Sequence, residues 1–146
     1  MEKDWLTPQI AAALIRAALD ARTNAYAPYS GYQVGAALLT AGDNVYLGCN
    51  IENASYGACN CAERTAVFNA VSEGVRDFRA IAVVGAPEGE DPKNADYAYP
   101  CGICRQVLAE FCKPDFLVIA AKSTEDYKVF TMEEILPASF GPDHLK

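Results

Sequence analysis

The sequence predicts a layered α/β domain built on a mixed sheet of about five strands. Three observations carry this expectation. Strand-like and helix-like segments alternate from Val34 to Phe116, an order that stacks helices against a sheet. Val34–Leu39, Ala80–Val84 and Phe116–Ala120 are continuous apolar runs, the pattern of strands covered on both faces. Gly42-Asp43-Asn44, residues that accept positive φ, separates the first run from Val45-Tyr46-Leu47, so a hairpin opens the sheet and makes it mixed.

Each element has its own local signal. Thr7-Pro8 reads as an N-cap followed by proline at the first helical position, and Ile10, Leu14, Ala17, Ala18 and Ala21 recur at helical spacing as far as Arg22. Pro28, Ser30 and Gly31 mark a loop before the first strand. A second helix starts at Cys61, repeats through Ala62, Ala66, Val67, Ala70 and Val71, and stops at Gly74. Residues 86–99 contain two prolines and many acidic groups, which predicts a surface loop. A third helix begins near Cys101, carries Ile103, Val107, Leu108 and Phe111 on one side, and ends before Pro114. Tyr127–Phe130 suits a short last strand, and Thr131-Met132-Glu133-Glu134 has the form of a capping box opening a short helix that Pro137 ends.

At 146 residues the chain suits one domain over residues 1–146, long enough to bury roughly 70% of the surface its unfolded form exposes. No apolar run approaches the roughly 20 residues that span a bilayer, so no membrane partner is expected. Met1-Glu2-Lys3-Asp4-Trp5 has no basic start leading into an apolar stretch, so a cytoplasmic rather than a secreted protein is expected. Twelve Lys and Arg against nineteen Asp and Glu give a net charge of −7, the wrong sign for neutralising phosphates; nucleic acid is excluded as the expected partner. Six cysteines in a reducing compartment point to metal ligation more than to disulfides. His144, three residues from the C-terminal end counting itself, has no expected site role.

Pro100-Cys101-Gly102-Ile103-Cys104 sets two thiols three residues apart at a helix start, where both can face one ion. Cys61 begins the other helix. Unpaired N–H groups and the helix dipole favour thiolate at such ends, and three thiolates leave the fourth tetrahedral position of a zinc ion open to water. Glu63, two residues beyond Cys61, then stands near the metal without ligating it, as a general acid/base. Other readings remain open at this stage. A Cys-x-x-Cys pair also serves redox chemistry or half a structural zinc site. Asn60 and Glu63 have the spacing of a capping box, and Cys59 is a candidate fourth thiolate that would close the site. Cys49 and Cys112 read as small core residues.

Five segments carry a resemblance to the small, homotetrameric, zinc-dependent cytidine deaminases: Tyr29–Leu38, Gly48–Ala54, Cys61–Ala66, Pro100–Val107 and Leu136–Pro142. Cys61-Ala62-Glu63 followed at a distance by Pro-Cys-x-x-Cys resembles the thiol form of the zinc-deaminase signature. The resemblance implies a three-layer α/β/α fold and one Zn2+ per subunit held by Cys61, Cys101 and Cys104. It implies hydrolytic deamination of cytidine, and of 2′-deoxycytidine, to the uridine product and ammonia, in pyrimidine salvage. It makes Glu63 the proton shuttle and Arg64 a donor to a ligand sulfur. Asn50 and Glu52 match the residues that hold the ribose 3′-hydroxyl, Ala62 a backbone contact to the pyrimidine, and Tyr32 a position against the base. Phe140 matches an aromatic that reaches a neighbouring subunit's pocket, so a homotetramer with active sites near its interfaces is implied. The sequence departs from the pattern at Tyr32, where phenylalanine is usual, at Cys59, where a small residue is usual, and in extra residues within 86–99.

Overall fold

The computed structural model describes residues 3–146; Met1 and Glu2, the start of the stretch read for a secretory signal, lie outside the described residues. Helix α1 (Pro8–Arg22) begins as its sequence dictates, with Thr7 as N-cap accepting a hydrogen bond from the Ile10 N–H at 3.2 Å. Its buried face is Ala11, Leu14, Ile15, Ala18 and Ala21. The expected stripe is therefore corrected by a rotation: Ile10 is exposed and Ala17 half-buried, while Ala11 and Ile15, which also fit a 3.6-residue period, turn inward.

The strands β1 (Tyr32–Thr40), β2 (Val45–Cys49), β3 (Phe78–Pro87), β4 (Leu117–Ala121) and β5 (Tyr127–Thr131) form a sheet of order β2-β1-β3-β4-β5. β1 pairs antiparallel with both β2 and β3, β3 runs parallel to β4, and β4 pairs antiparallel with β5, so the sheet is mixed. Asp43 takes the positive φ, 66°, at the expected hairpin. Both strands that flank the site run longer than the apolar patterns alone suggest. Tyr32 pairs with Pro87 in register, which carries the ladder past the apolar cores toward the cavity described below.

Alternate strand residues serve two cores. Ala37, Leu39, Ala82, Val84 and Ile119 pack under α1. Ala36, Leu38, Ile81, Val83 and Val118 face the opposite layer, made by α2 (Ala62–Ser72), α3 (Gly102–Phe111) and the short α4 (Met132–Ile135). The result is the expected three-layer α/β/α sandwich. α3 connects the two parallel strands and so begins beyond the carboxyl end of β3, the place where open α/β sheets bind ligands. The capping box on α4 forms as its sequence indicates: the Thr131 hydroxyl accepts from the Glu134 N–H, and Glu134 accepts from the Thr131 N–H at 2.7 Å.

Gly48 determines how close α2 lies to the sheet. A Cβ there would meet the Ala62 carbonyl oxygen at 2.3 Å and the Ala66 nitrogen at 2.5 Å, both backbone atoms. Only glycine allows the first turn of α2 to rest directly on β2, and that turn carries Cys61, Ala62 and Glu63.

Candidate active site

Cys61 and Cys101 are the N-cap residues of α2 and α3, both in extended backbone, and neither side chain caps its own helix. Their thiols turn toward each other instead, 3.8 Å apart. Cys104, buried in the first turn of α3, completes a cluster whose three sulfurs lie within 4.8 Å of one another. Sulfurs at the usual 2.3 Å from a tetrahedral zinc stand about 3.8 Å apart, so the cluster fits one zinc ion with little movement. Charge gives the same answer. Cys61 is pushed down to about 5, by its hydrogen bond with Cys104 first and by Arg64 after it, while Cys104 is driven upward by the same pairing and by burial. Cys61 and Cys104 thus oppose each other's ionisation, and a cation between them relieves that opposition.

The outer contacts hold this cluster in place. Arg64 donates from Nη2 to Cys61 Sγ at 3.3 Å, the role the resemblance implies. Arg105, not singled out by the sequence, donates from Nε to the Pro100 carbonyl at 2.7 Å and from Nη1 to the Ile135 carbonyl at 2.8 Å. It ties the residue before Cys101 to the end of α4; Pro100-Cys-x-x-Cys-Arg contained the signal only as a charge inside a helix.

Cys59 is not part of the cluster. Its thiol faces Asn53, 3.2 Å from the backbone nitrogen and 3.6 Å from the carbonyl, so the four-thiolate alternative is set aside: among the described residues three sulfurs, not four, are placed to hold one ion. The capping-box alternative for Glu63 also fails. Cys61, not Asn60, is the N-cap, and the Asn60 amide donates to Thr65 Oγ1 at 3.0 Å. Glu63 is instead 4% exposed and lines the same cavity as Cys61 and Cys101. Its carboxyl is pushed up to about 7, by burial first and then by the negative charge of Cys61. A carboxyl near 7 both accepts and returns a proton at neutral pH.

That cavity has a volume of about 310 Å³. Tyr32, Asn50 and Ala62 line it, together with Val34, Val83 and the segment Tyr97–Tyr99. Asn50 is fixed by β1: its Oδ1 accepts from the Val34 N–H and its Nδ2 donates to the Tyr32 carbonyl, both at 2.8 Å. One N–H and one lone pair of the amide stay free for a ligand. Glu52 lies not in that cavity but in a separate hollow with Tyr29, Ser30, Tyr56 and Cys59, where its carboxylate accepts from the N–H groups of Tyr29 and Ser30 and from the Ser30 hydroxyl. Those bonds, the Ser30 hydroxyl foremost, hold it below the usual carboxylate range. Phe140 is outside both hollows, 57% exposed and stacked on His144 with centroids 5.2 Å apart. Residues 86–99 do not simply cross the surface: their last part, Tyr97 and Tyr99, walls the cavity, and no periodic pattern announces it. A larger hollow of about 410 Å³, lined by Trp5, Asp77, Arg79 and Lys113 among others, contains none of the cluster cysteines.

Three clustered cysteine sulfurs at two helix starts, with a buried carboxyl in the same cavity, define the zinc-binding site of a hydrolase. The family model for the cytidine and deoxycytidylate deaminase zinc-binding region matches residues 8–120. A cytidine deaminase of Halalkalibacterium halodurans is 51% identical over 90% of this chain and 95% of its own, and one of Sporosarcina psychrophila is 47% identical over 90% and 92%. A crystal structure of cytidine deaminase from Burkholderia pseudomallei superposes with a TM-score of 0.79 at 49% identity, covering 88% of this chain and 97% of that one. The chain belongs to the zinc-dependent cytidine deaminase family.

Proposed function

We propose that this enzyme hydrolyses the C4 amine of free cytidine and of 2′-deoxycytidine, giving uridine or 2′-deoxyuridine and ammonia in pyrimidine salvage. The observation that carries the reading is that Glu63, buried and titrating near 7, shares one cavity with the three-sulfur cluster.

Cys61, Cys101 and Cys104 hold the zinc, which when bound supplies a Lewis acid that lowers the pKa of a water at its open position to about 7. The remaining chemistry is proton traffic at Glu63. Its carboxylate takes one proton of the attacking water and passes it to ring N3, then takes the proton of the new C4 hydroxyl and gives it to the amine that leaves C4. Water adds and ammonia departs, so atoms and charge balance. Arg64 offsets the excess negative charge of three thiolates through its bond to Cys61. Ala62, at the buried start of α2, offers backbone polar groups to the pyrimidine, and Asn50, already oriented by β1, offers its free N–H and lone pair to the ribose.

Two supports favour a free nucleoside over a nucleic acid: the cavity, about 310 Å³, has room for a small molecule, and the net charge is −7. Glu52 orders the Tyr29–Gly31 turn beside the pocket and, with Asn50, is assigned to the ribose 3′-hydroxyl. Phe140 is assigned to a neighbouring subunit's pocket in a homotetramer, one Zn2+ in each subunit; its exposed ring is free for that contact. Six free cysteines suit a reducing, cytoplasmic setting, and among the described residues no helix is long and apolar enough to cross a membrane. Residues 1–146 act as one catalytic domain in this reading.

A spectrophotometric cytidine assay with metal analysis of the wild type and Glu63→Gln tests the proposal. About one zinc per chain in both proteins, with turnover in the wild type alone, supports it. Turnover of a nucleoside antibiotic but not of cytidine would assign the enzyme to the antibiotic deaminases instead.

A further inference from the structure

The last part of the 86–99 segment is built as a wall. Tyr97, Ala98 and Tyr99 line the cavity that also holds Glu63 and Cys101. The Tyr97 hydroxyl donates to Asp126 Oδ1 in the β4–β5 turn, and the Lys122 and Lys128 ammonium groups lie 4.6 and 4.7 Å from its ring centre. Tyr99 meets Phe130 of β5 edge to face, with centroids 6.0 Å apart, and Tyr97 at 6.3 Å. At the other end of the segment Arg22 donates to the Ala86 carbonyl at 2.9 Å and the Pro87 carbonyl at 3.0 Å. Gly85 leaves the room that Tyr32 and Ala98 share: a Cβ there would stand 3.0 Å from the Tyr32 hydroxyl and 3.0 Å from Ala98 Cβ.

The position of this wall decides what it can recognise. A cytosine ring that presents C4 to the metal has N3 on one side of C4 and C5 on the other. Glu63, on α2, must reach N3. The C5 edge then faces the other helix start, where Tyr99 lies two residues ahead of Cys101.

We propose that Tyr97 and Tyr99, held by the β4–β5 turn, limit the space beside C5 of the pyrimidine and so exclude 5-substituted cytosine nucleosides. The proposal rests on the deaminase reading above and names two specificity-determining residues for it. Neither tyrosine transfers a proton.

The zinc-loaded full chain, its Tyr99→Ala, Tyr99→Leu and Tyr99→Phe variants, and Tyr97→Phe are assayed for kcat/KM on cytidine and on 5-methylcytidine. Removing the ring in Tyr99→Ala or Tyr99→Leu raises the 5-methylcytidine to cytidine ratio about tenfold or more, the scale on which a pocket discriminates one methyl group. Tyr99→Phe keeps the wild-type ratio, because the ring rather than the hydroxyl fills the space. Tyr97→Phe, which loses the Asp126 bond, moves the ratio in the same direction by a smaller factor. An unchanged ratio in whichever of Tyr99→Ala and Tyr99→Leu folds and deaminates cytidine overturns the proposal, as does a Tyr99→Phe ratio equal to that of Tyr99→Leu. Absence of cytidine turnover in the zinc-loaded wild type overturns the underlying reading instead, so the two failures are distinguishable.

Discussion

Arg64 Nη2 lies 3.3 Å from Cys61 Sγ, and the Arg64 Nε is buried without a hydrogen-bond partner among the described residues. The guanidinium is thus kept in a poorly solvated place beside the sulfurs of Cys61 and Cys104. A bond of this kind withdraws charge from the ligand and so restores the pull of the metal on its water.

Arg64→Gln keeps a neutral donor in reach but removes the cation. Turnover of cytidine should fall about 10- to 100-fold while zinc content falls less, the pattern of lost outer-contact tuning. Parallel metal analysis and kcat measurement check this, and unchanged turnover would reject the role given to Arg64.

Glu63 yields a prediction in stability as well as in rate. Glu63→Gln should lower kcat by about a thousandfold, within the span ascribed to general acid–base groups, with zinc retained. In the metal-free protein the same change should stabilise the fold at alkaline pH. The carboxyl titrates at an ordinary 4.5 when unfolded and at about 7 when folded, so between these values the folded state holds a proton that the unfolded state has released. Stability from that protonation is complete below pH 4.5 and lost as pH rises through 7, where the buried charge must form. Glutamine carries no such charge. Melting temperatures of the two metal-free proteins should converge near pH 4.5 and separate by pH 8, with the wild type lower by roughly 3 kcal/mol in stability.

Local chemistry made much of this site legible in advance. Cys61, Cys101, Cys104 and Glu63 lie at helix starts marked by short motifs, and the apolar runs of β1, β3 and β4 reported strands covered on both faces. Residues that act through tertiary contacts were hidden. Tyr97 and Tyr99 become wall residues only because the β4–β5 turn supplies Asp126, Lys122 and Phe130, which are distant in sequence. Arg105 reaches across to Ile135, a contact that no spacing within α3 encodes. On α1 the expected Leu14, Ala18 and Ala21 are buried, while Ala11 and Ile15 rather than Ile10 and Ala17 complete the inward face; a 3.6-residue period admits either pair, and the sheet selects between them.

Phe140 is where the proposed assembly can be tested. Its ring is 57% exposed and is not among the residues that line the chain's own cavity. In the homotetramer we propose, Phe140→Ala should raise the KM for cytidine about tenfold with a smaller effect on kcat, the result of losing binding contact without touching proton transfer. Sedimentation of wild type and variant supplies the companion measurement. A tetrameric wild type with KM unchanged in Phe140→Ala would remove the ring from the pocket, and a monomeric wild type would remove the tetramer.

Gly48 sets how closely the first turn of α2 rests on the sheet. A methyl group at this position would press on the Ala62 carbonyl oxygen at 2.3 Å and the Ala66 nitrogen at 2.5 Å, and backbone atoms inside a helix cannot rotate away as a side chain can. Relief requires α2 to lift from β2, taking Cys61 and Glu63 with it. Gly48→Ala should therefore cost about 3 kcal/mol or more, at or above the upper range for overpacking, because rigid backbone lies on both sides. Zinc affinity and turnover should fall together, since Cys61 and Glu63 move as one helical turn. Denaturant unfolding and metal titration of Gly48→Ala check both effects. A variant with full stability but lost activity would show that Gly48 meets the substrate rather than the helix.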